Sequence, residues 1–485
     1  MFENLGNLFK YDPGAPMLFS TGFFWFLFIL FLPVYIMLRK SKAKMVLFVV
    51  GFSLYFYYKS SGWFFLMLIG TSFVDWLLSW AIFRQKRRGV RLAIMWLSVL
   101  ISLSILGYFK YSNFFLWNWN MMVKGNFQPL SIILPVGISF YTFQSISYVV
   151  DVYRRRITPT RSWFDYLFFL SFFPALVAGP IVRADYFLPQ LKKNVQATTT
   201  MIWEGLWLII IGILKKAVIA DYIAQYNDLI FDSPGVYSGF QSLMGLLGYT
   251  FQIYCDFSGY SDMAIGLALI MGFRLGINFD SPYKSVNISE FWRKWHISLS
   301  SWLRDYVYIP LGGNRKGTFR MYLNNFITMV LAGLWHGAAW TFVFFGAMHG
   351  LGLIVHKACQ PVLKKIPDNF FTMLFFGMLT FVYVSLLLTF FRSASFSDAL
   401  LILKSIFTEF DIREFPQFCE TRAVWCVMMV VLIVMHLAPK SWENYIQQSF
   451  ISSPWVVKLI VFLSSVQLVL EFMSEEIQPF IYFQF

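Results

Sequence analysis

Long apolar stretches alternate with short charged connections from Thr21 to the end of this chain. A helix crosses the roughly 30 Å of bilayer hydrocarbon with about 20 residues. The first candidates lie near 21–38, 44–58, 62–83, 92–109 and 129–150. Basic residues crowd every second connection: Arg39, Lys40, Lys42 and Lys44; then Arg84, Lys86, Arg87, Arg88 and Arg91; then Arg154, Arg155, Arg156 and Arg161. The connections between hold only Lys59, and then Lys110 and Lys124. Cytoplasmic loops collect Lys and Arg, so the dense loops are predicted inside and the N-terminus outside.

The alternation continues. Candidates 202–221 and 241–273 flank AQYNDLIFDSPGVYSG, which has no Lys or Arg and is predicted external. The 274–320 segment carries Arg274, Lys284, Arg293, Lys294, Arg304, Arg315, Lys316 and Arg320, and is predicted cytoplasmic. Residues 323–355 begin and end beside basic loops, so they should dip in and return, with the break near Gly333 and Gly337. Candidates near 370–391, 423–438 and 455–473 then place the C-terminal EEIQPFIYFQF outside. The Pro/Gly-interrupted 164–180 segment is predicted re-entrant, because non-helical backbone survives at membrane depth only when protein or a wet cavity surrounds it. No inverted repeat or long linker is visible. The pattern predicts one all-α polytopic membrane domain spanning 1–485, with about 10 to 12 membrane segments including re-entrant ones.

Composition sharpens this. Of 485 residues, 58% are hydrophobic and only 13% charged, against about 45–50% and 25% in soluble domains. Soluble globular and disordered classes are excluded. Aromatics reach 21%, as suits a chain with much surface at bilayer interfaces. The balance of 39 Lys+Arg over 25 Asp+Glu, +14, reads as loop charge and not as nucleic-acid affinity. Cys255, Cys359, Cys419 and Cys426 show no metal spacing and receive no role. The N-terminus lacks the basic start of a secretory leader, so Thr21 onward is expected to be a retained span.

Candidate chemistry is sparse. Among five histidines, His336 sits in the uncharged stretch LAGLWHGAAWTFVFFGAMHG. An ionisable side chain at membrane depth is costly and marks function by default. A neutral imidazole, with an ordinary pKa of about 6.5, can take and return a hydroxyl proton; an interhelical hydrogen-bonding role is the alternative. His296 lies in NISEFWRKWHISLSSWLRDYVYIPLGGNRKG. Asn287 or Ser289 can cap a helix there, placing Trp292, His296, Leu299 and Leu303 on one stripe of an amphipathic helix at the cytoplasmic interface. Its basic residues either anchor the helix or face a phosphate-bearing donor. In FQIYCDFSGYSDMAIGLALIMGF, Asp256 and Asp262 should face the protein interior, lining a polar path or pairing with Arg or His from another helix. GGNRKG lacks the Gly-Lys-Ser/Thr ending of a phosphate loop.

In this order and spacing, these residues resemble the membrane-bound O-acyltransferase family. Within it they are similar to the bacterial branch of alginate and peptidoglycan O-acetylation and of teichoic-acid D-alanylation. The blocks are LPVGISFYTFQSISYVVDVYR (134–154), FFPALVAGPIVR (172–183), CDFSGYSDMAIGLALIMGF (255–273), the 287–317 segment and LAGLWHGAAWTFVFFGAMHG (331–350). They cover about 105–355, with the C-terminal helices and tail of 356–485 matching more weakly. The resemblance implies a ring of helices around a thin centre where reactants meet from opposite faces. It implies a catalytic histidine at His336, a second motif histidine at His296, and Trp335 with Asp256 and Asp262 as candidates for the substrate path. It implies neither a metal nor a tightly bound cofactor.

PFIYFQF is similar to the tyrosine-bearing tail motif of this branch, which makes Tyr482 a candidate acyl relay; an aromatic interfacial anchor is the alternative. A phenol ionises near pH 10, so its ester keeps a good leaving group, and a covalent relay splits one hard transfer into two easier ones. The expected donor is acetyl-CoA from the cytoplasm. The expected recipients are an extracytoplasmic Ser/His/Asp-type acetyltransferase partner and then a surface polysaccharide, with the chain multi-pass in a bacterial inner membrane and both termini outside. D-alanyl transfer from a carrier protein, a lipid acyltransferase, and a transporter or channel are the competing expectations.

Overall fold

A computed structural model describes residues 10–472 apart from 15, 178, 193 and 194. Among these residues every regular element is a helix. Tyr482 and both chain termini lie outside the described residues.

Five helical stretches are long and apolar enough to cross a membrane: Lys42–Arg84, Arg88–Val123, Trp340–Leu363, Phe370–Arg392 and Trp455–Phe472. The pair Ile412–Thr421 and Ala423–Leu437, bent by 103°, makes a sixth if counted as one span. Gly22–Leu38 is shorter, and Gly239–Ile270 holds Asp256 and Asp262. Arg88–Val123 has 36 residues, about 54 Å at 1.5 Å per residue, and so overshoots the 92–109 expectation. The span expected at 129–150 starts later, at Ile138. Pro129 and Pro135 remove backbone donors, and Gly137 turns through φ 72°. A Cβ there would meet the Leu176 carbonyl oxygen at 2.6 Å, so the position favours glycine on two counts.

The chain forms two compact units. The first comprises 1–209 with 260–276. Its helix Ile138–Tyr153 is buried almost throughout, including Ser139, Thr142, Gln144, Ser145 and Ser147. Asp75 is buried in this unit and accepts from Ser98 at 2.6 Å and from Ser145, which satisfies a carboxyl that is otherwise costly in the interior. The 164–180 segment is two short helices, Trp163–Ser171 and Phe173–Leu176, broken at Phe172. Its rings pack within unit 1, with Phe172 5.1 Å from Phe187 and 5.2 Å from Phe273 between centroids.

The second unit comprises 210–259 with 277–485. Its centre is a hairpin of Thr318–His336 and Trp340–Leu363, broken at Gly337–Ala339, as the dip-and-return expectation requires. The two arms touch backbone to backbone. A Cβ on Gly333 would sit 2.2 Å from the Phe342 carbonyl oxygen, and one on Gly346 2.3 Å from that of Met329. Small residues permit such approach where lipid supplies no hydrophobic drive.

Contacts in this unit sort its helix ends into two groups. Arg392 binds Asp228 at 2.7 Å and Asp232 at 3.1 Å, Ser238 donates to Glu414 at 2.6 Å, and Tyr222 packs edge-on to Phe472 at 5.6 Å. Elsewhere Lys440 binds Asp280 at 2.5 Å, and Lys284 donates to the Ala438 carbonyl at 2.5 Å.

Candidate active site

His336 closes the Thr318–His336 helix, where the chain turns extended at Gly337. The ring is 3% exposed. Trp335 lies 4.9 Å away, Phe391 5.1 Å and Phe345 6.1 Å, all edge-on. His336 therefore faces protein and not lipid. It lines a narrow slit with Tyr283, Trp292, Trp295, Phe345, His349 and Phe391. The slit has a volume of ≈ 10 Å³, room for about one water.

His296 departs from the single amphipathic helix expected. Two seven-residue helices, Ile288–Lys294 and Ile297–Leu303, meet at His296, which takes the left-handed conformation at φ 43°. Asn287 caps the first as expected, accepting from the Glu290 N–H at 2.9 Å. Rather than riding a surface stripe, His296 is fully buried, with Phe257 at 4.6 Å and Trp335 at 5.8 Å. The break is held by Asn278, whose carbonyl accepts the Ile297 N–H at 2.9 Å. Its side-chain Oδ1 accepts from the Ser298 N–H at 3.3 Å and hydroxyl at 2.9 Å.

These contacts fix a tautomer. The Ser298 N–H can only donate, so the Asn278 atom facing it is oxygen. His296 Nδ1 lies 3.1 Å from that same oxygen and therefore carries the proton, leaving the lone pair on Nε2. Burial pushes the pKa of His296 down to about 3, because an imidazolium is penalised away from water. His296 is a neutral acceptor at physiological pH. The Trp335 ring lies against both His296 and His336, which brings three of the expected site residues into one cluster.

Asp256 and Asp262 diverge. Asp256 is buried and binds Lys216 Nζ at 2.5 Å, while Lys216 also binds Asp221 at 2.7 Å. Lys216 lies in the π-helical turn Leu214–Ala220. Asp256 is therefore ion-paired, with a lysine and not with the Arg or His expected. Asp262 lies farther along the same helix, in the first unit, and is half-buried. Among the described residues no cluster of His, Cys, Asp or Glu can hold a metal ion.

The model of the membrane-bound O-acyltransferase family matches residues 155–398, which takes in both histidines and the whole hairpin. The chain belongs to the membrane-bound O-acyltransferase family. The enzyme is accordingly an O-acyltransferase embedded in a membrane. It is similar to the peptidoglycan O-acetyltransferase of Helicobacter pylori, 38% identical over 80% of each chain. It is also similar to the probable alginate O-acetylase of Pseudomonas putida, 43% identical over 70% of this chain and 71% of the relative. A teichoic acid D-alanyltransferase of Bacillus subtilis is 28% identical over 56% of this chain and 71% of the relative.

Three residues of the acyltransferase escaped sequence reasoning. His349 shares the apolar block and the slit with His336, and the cost of burying an ionisable group applied to it equally. Lys216 carried the same signal inside the 202–221 span. Asn278 carried none, since a lone asparagine in a loop does not announce the histidine 18 residues later that it orients.

Proposed function

We propose that this acyltransferase moves an acetyl group from a cytoplasmic thioester, acetyl-CoA, to an acceptor hydroxyl at His336, and through it to an extracytoplasmic polysaccharide. The observation that carries this is the buried His336 in a protein-lined slit beside the neutral acceptor His296, in a chain of this family. His336 takes the acceptor's proton as the oxygen attacks the thioester carbonyl carbon. The C–O bond forms, the C–S bond breaks, and the departing thiolate recovers the proton from His336. His296, with its lone pair on Nε2, orients a donor group and cannot itself donate from that atom.

The acceptor we propose is Tyr482. It lies ten residues beyond Phe472, a reach of up to about 35 Å when extended, and Phe472 is anchored against Tyr222. The acetyl group then passes from the phenol ester to a separate Ser/His/Asp-type transferase and on to the polysaccharide. The names of the acetylating relatives support a polysaccharide acceptor. The charge alternation supports an inner-membrane orientation with both termini outside.

Incubating the purified chain with labelled acetyl-CoA and taking the mass of its C-terminal peptide tests this. Label on Tyr482 that vanishes in His336→Ala supports the relay. Label carried only as D-alanine from a carrier protein transfers the reading to D-alanylation, and transfer that survives Tyr482→Phe removes the relay.

A further inference from the structure

We propose that His349 is the oxyanion donor of this reaction, its Nε2–H binding the thioester carbonyl oxygen as negative charge develops there. The inference rests on the acyl-transfer reading of His336. His349 is fully buried on the second arm of the hairpin. Trp292 Nε1 donates to its Nδ1 at 3.3 Å. An indole nitrogen only donates, so the Nδ1 of His349 must present its lone pair and the ring proton must sit on Nε2. That N–H has no hydrogen-bond partner among the described residues.

The ring is held in place. Phe291 stacks parallel to it at an interplanar angle of 7°, Trp292 meets it edge-on at 5.1 Å, and Phe345 packs at 4.4 Å. Phe345 also touches His336 at 6.1 Å, and both histidines line the same slit. A buried donor left without a partner is costly, and the ring that carries this one lines the same slit as the candidate base. A fixed donor in a dry site needs no reorganisation when an oxyanion forms beside it.

The two histidines then divide the work. His349 has its lone pair engaged by Trp292 and its proton on the other nitrogen, so it has nothing with which to accept the hydroxyl proton. That proton goes to His336 and from it to the departing thiolate, while His349 keeps its own throughout. Trp292 is a positioning residue that acts by holding the tautomer.

The test compares the full-length wild type with His349→Phe, which keeps an aromatic ring without a donor, and His349→Gln, which keeps an N–H. Acetyl transfer from acetyl-CoA is measured with KM and kcat separated, and melting midpoints in detergent confirm folding. His349→Phe is expected to lower kcat about 10²–10³-fold with KM for acetyl-CoA changed by less than about threefold. His349→Gln is expected to recover at least about tenfold of that loss. Should His349→Phe misfold, Trp292→Phe supplies the reading, with kcat expected to fall at unchanged KM. A folded His349→Phe with near-normal kcat, or a loss that glutamine does not rescue, overturns the proposal and leaves His349 a packing residue over a trapped water. A wild type that transfers no acyl group from acetyl-CoA or from a D-alanyl carrier removes the parent reading and this one with it. An active wild type indifferent to His349→Phe removes this one alone.

Discussion

His296 and His349 are both fully buried, yet they carry their protons on opposite nitrogens. At the break between two short helices, the Asn278 oxygen draws the proton of His296 to Nδ1. On the long hairpin arm, the Trp292 N–H forces the proton of His349 to Nε2. One ring is left an acceptor and the other a donor. Burial by itself makes a histidine costly and neutral; the single polar neighbour decides what it can do. The regions also differ in how the histidine is held. His296 depends on one asparagine to stabilise a left-handed backbone, whereas His336 and His349 ride on two helices locked by glycine against backbone.

The largest break between these regions should come from the bases themselves. His336→Ala is expected to lower acetyl transfer about 10²–10⁴-fold with folding intact, and His296→Ala to cost clearly less. A larger loss in His296→Ala than in His336→Ala would mean that His296, not His336, is the principal proton acceptor. Next, Gly346→Val tests whether the hairpin is held by close backbone approach. Its side chain collides with the Met329 carbonyl, and overpacking of this kind costs about 1–3 kcal/mol. A lower melting midpoint in detergent is expected, while Gly51→Val, whose Cβ meets nothing within 4 Å, should leave that midpoint unchanged.

Acid sharpens the contrast on the His296 side. Its folded pKa of about 3 lies below the unfolded value of about 6.5. The unfolded chain therefore takes up a proton first as pH falls, and stability is full above pH 6.5 and lost below it. Between pH 6.5 and 5 this one group removes about 2 kcal/mol. Wild type should lose melting midpoint over that interval faster than His296→Gln, and parallel curves would argue against a buried neutral His296. The smallest effect is expected from Asn278→Ala. Loss of the hydrogen bond to Nδ1 is worth about 1 kcal/mol, roughly a fivefold fall in transfer, whereas Asn287→Ala, which removes only a helix cap, should spare kcat.

Much of the fold was legible because a membrane helix satisfies its own backbone, which makes spans and breaks local properties of the sequence. A dip and return over 323–355 followed from apolar length between basic loops, and its turn from the glycines around His336; the helices run on to 318 and 363. The helix through 287–303 was misjudged for the same reason: periodicity there is helical on both sides of the break, and only the Asn278 contacts, from outside the segment, reveal the turn at His296. The start at Ile138 instead of 129 was marked in advance by Pro129 and Pro135, which apolar counting overlooked.

The order of residues thus determined a polytopic helical membrane protein, the alternation of its loops and the unusual position of His336. Hydropathy and charge are summed along the chain and need no partner. Tertiary structure alone decided that Lys216 neutralises Asp256, that Trp335 touches both motif histidines, that His349 enters the slit, and which nitrogen of each buried ring bears the proton. Those outcomes depend on one polar atom arriving within about 3 Å from a distant part of the chain, and such an encounter leaves no periodic trace in the sequence.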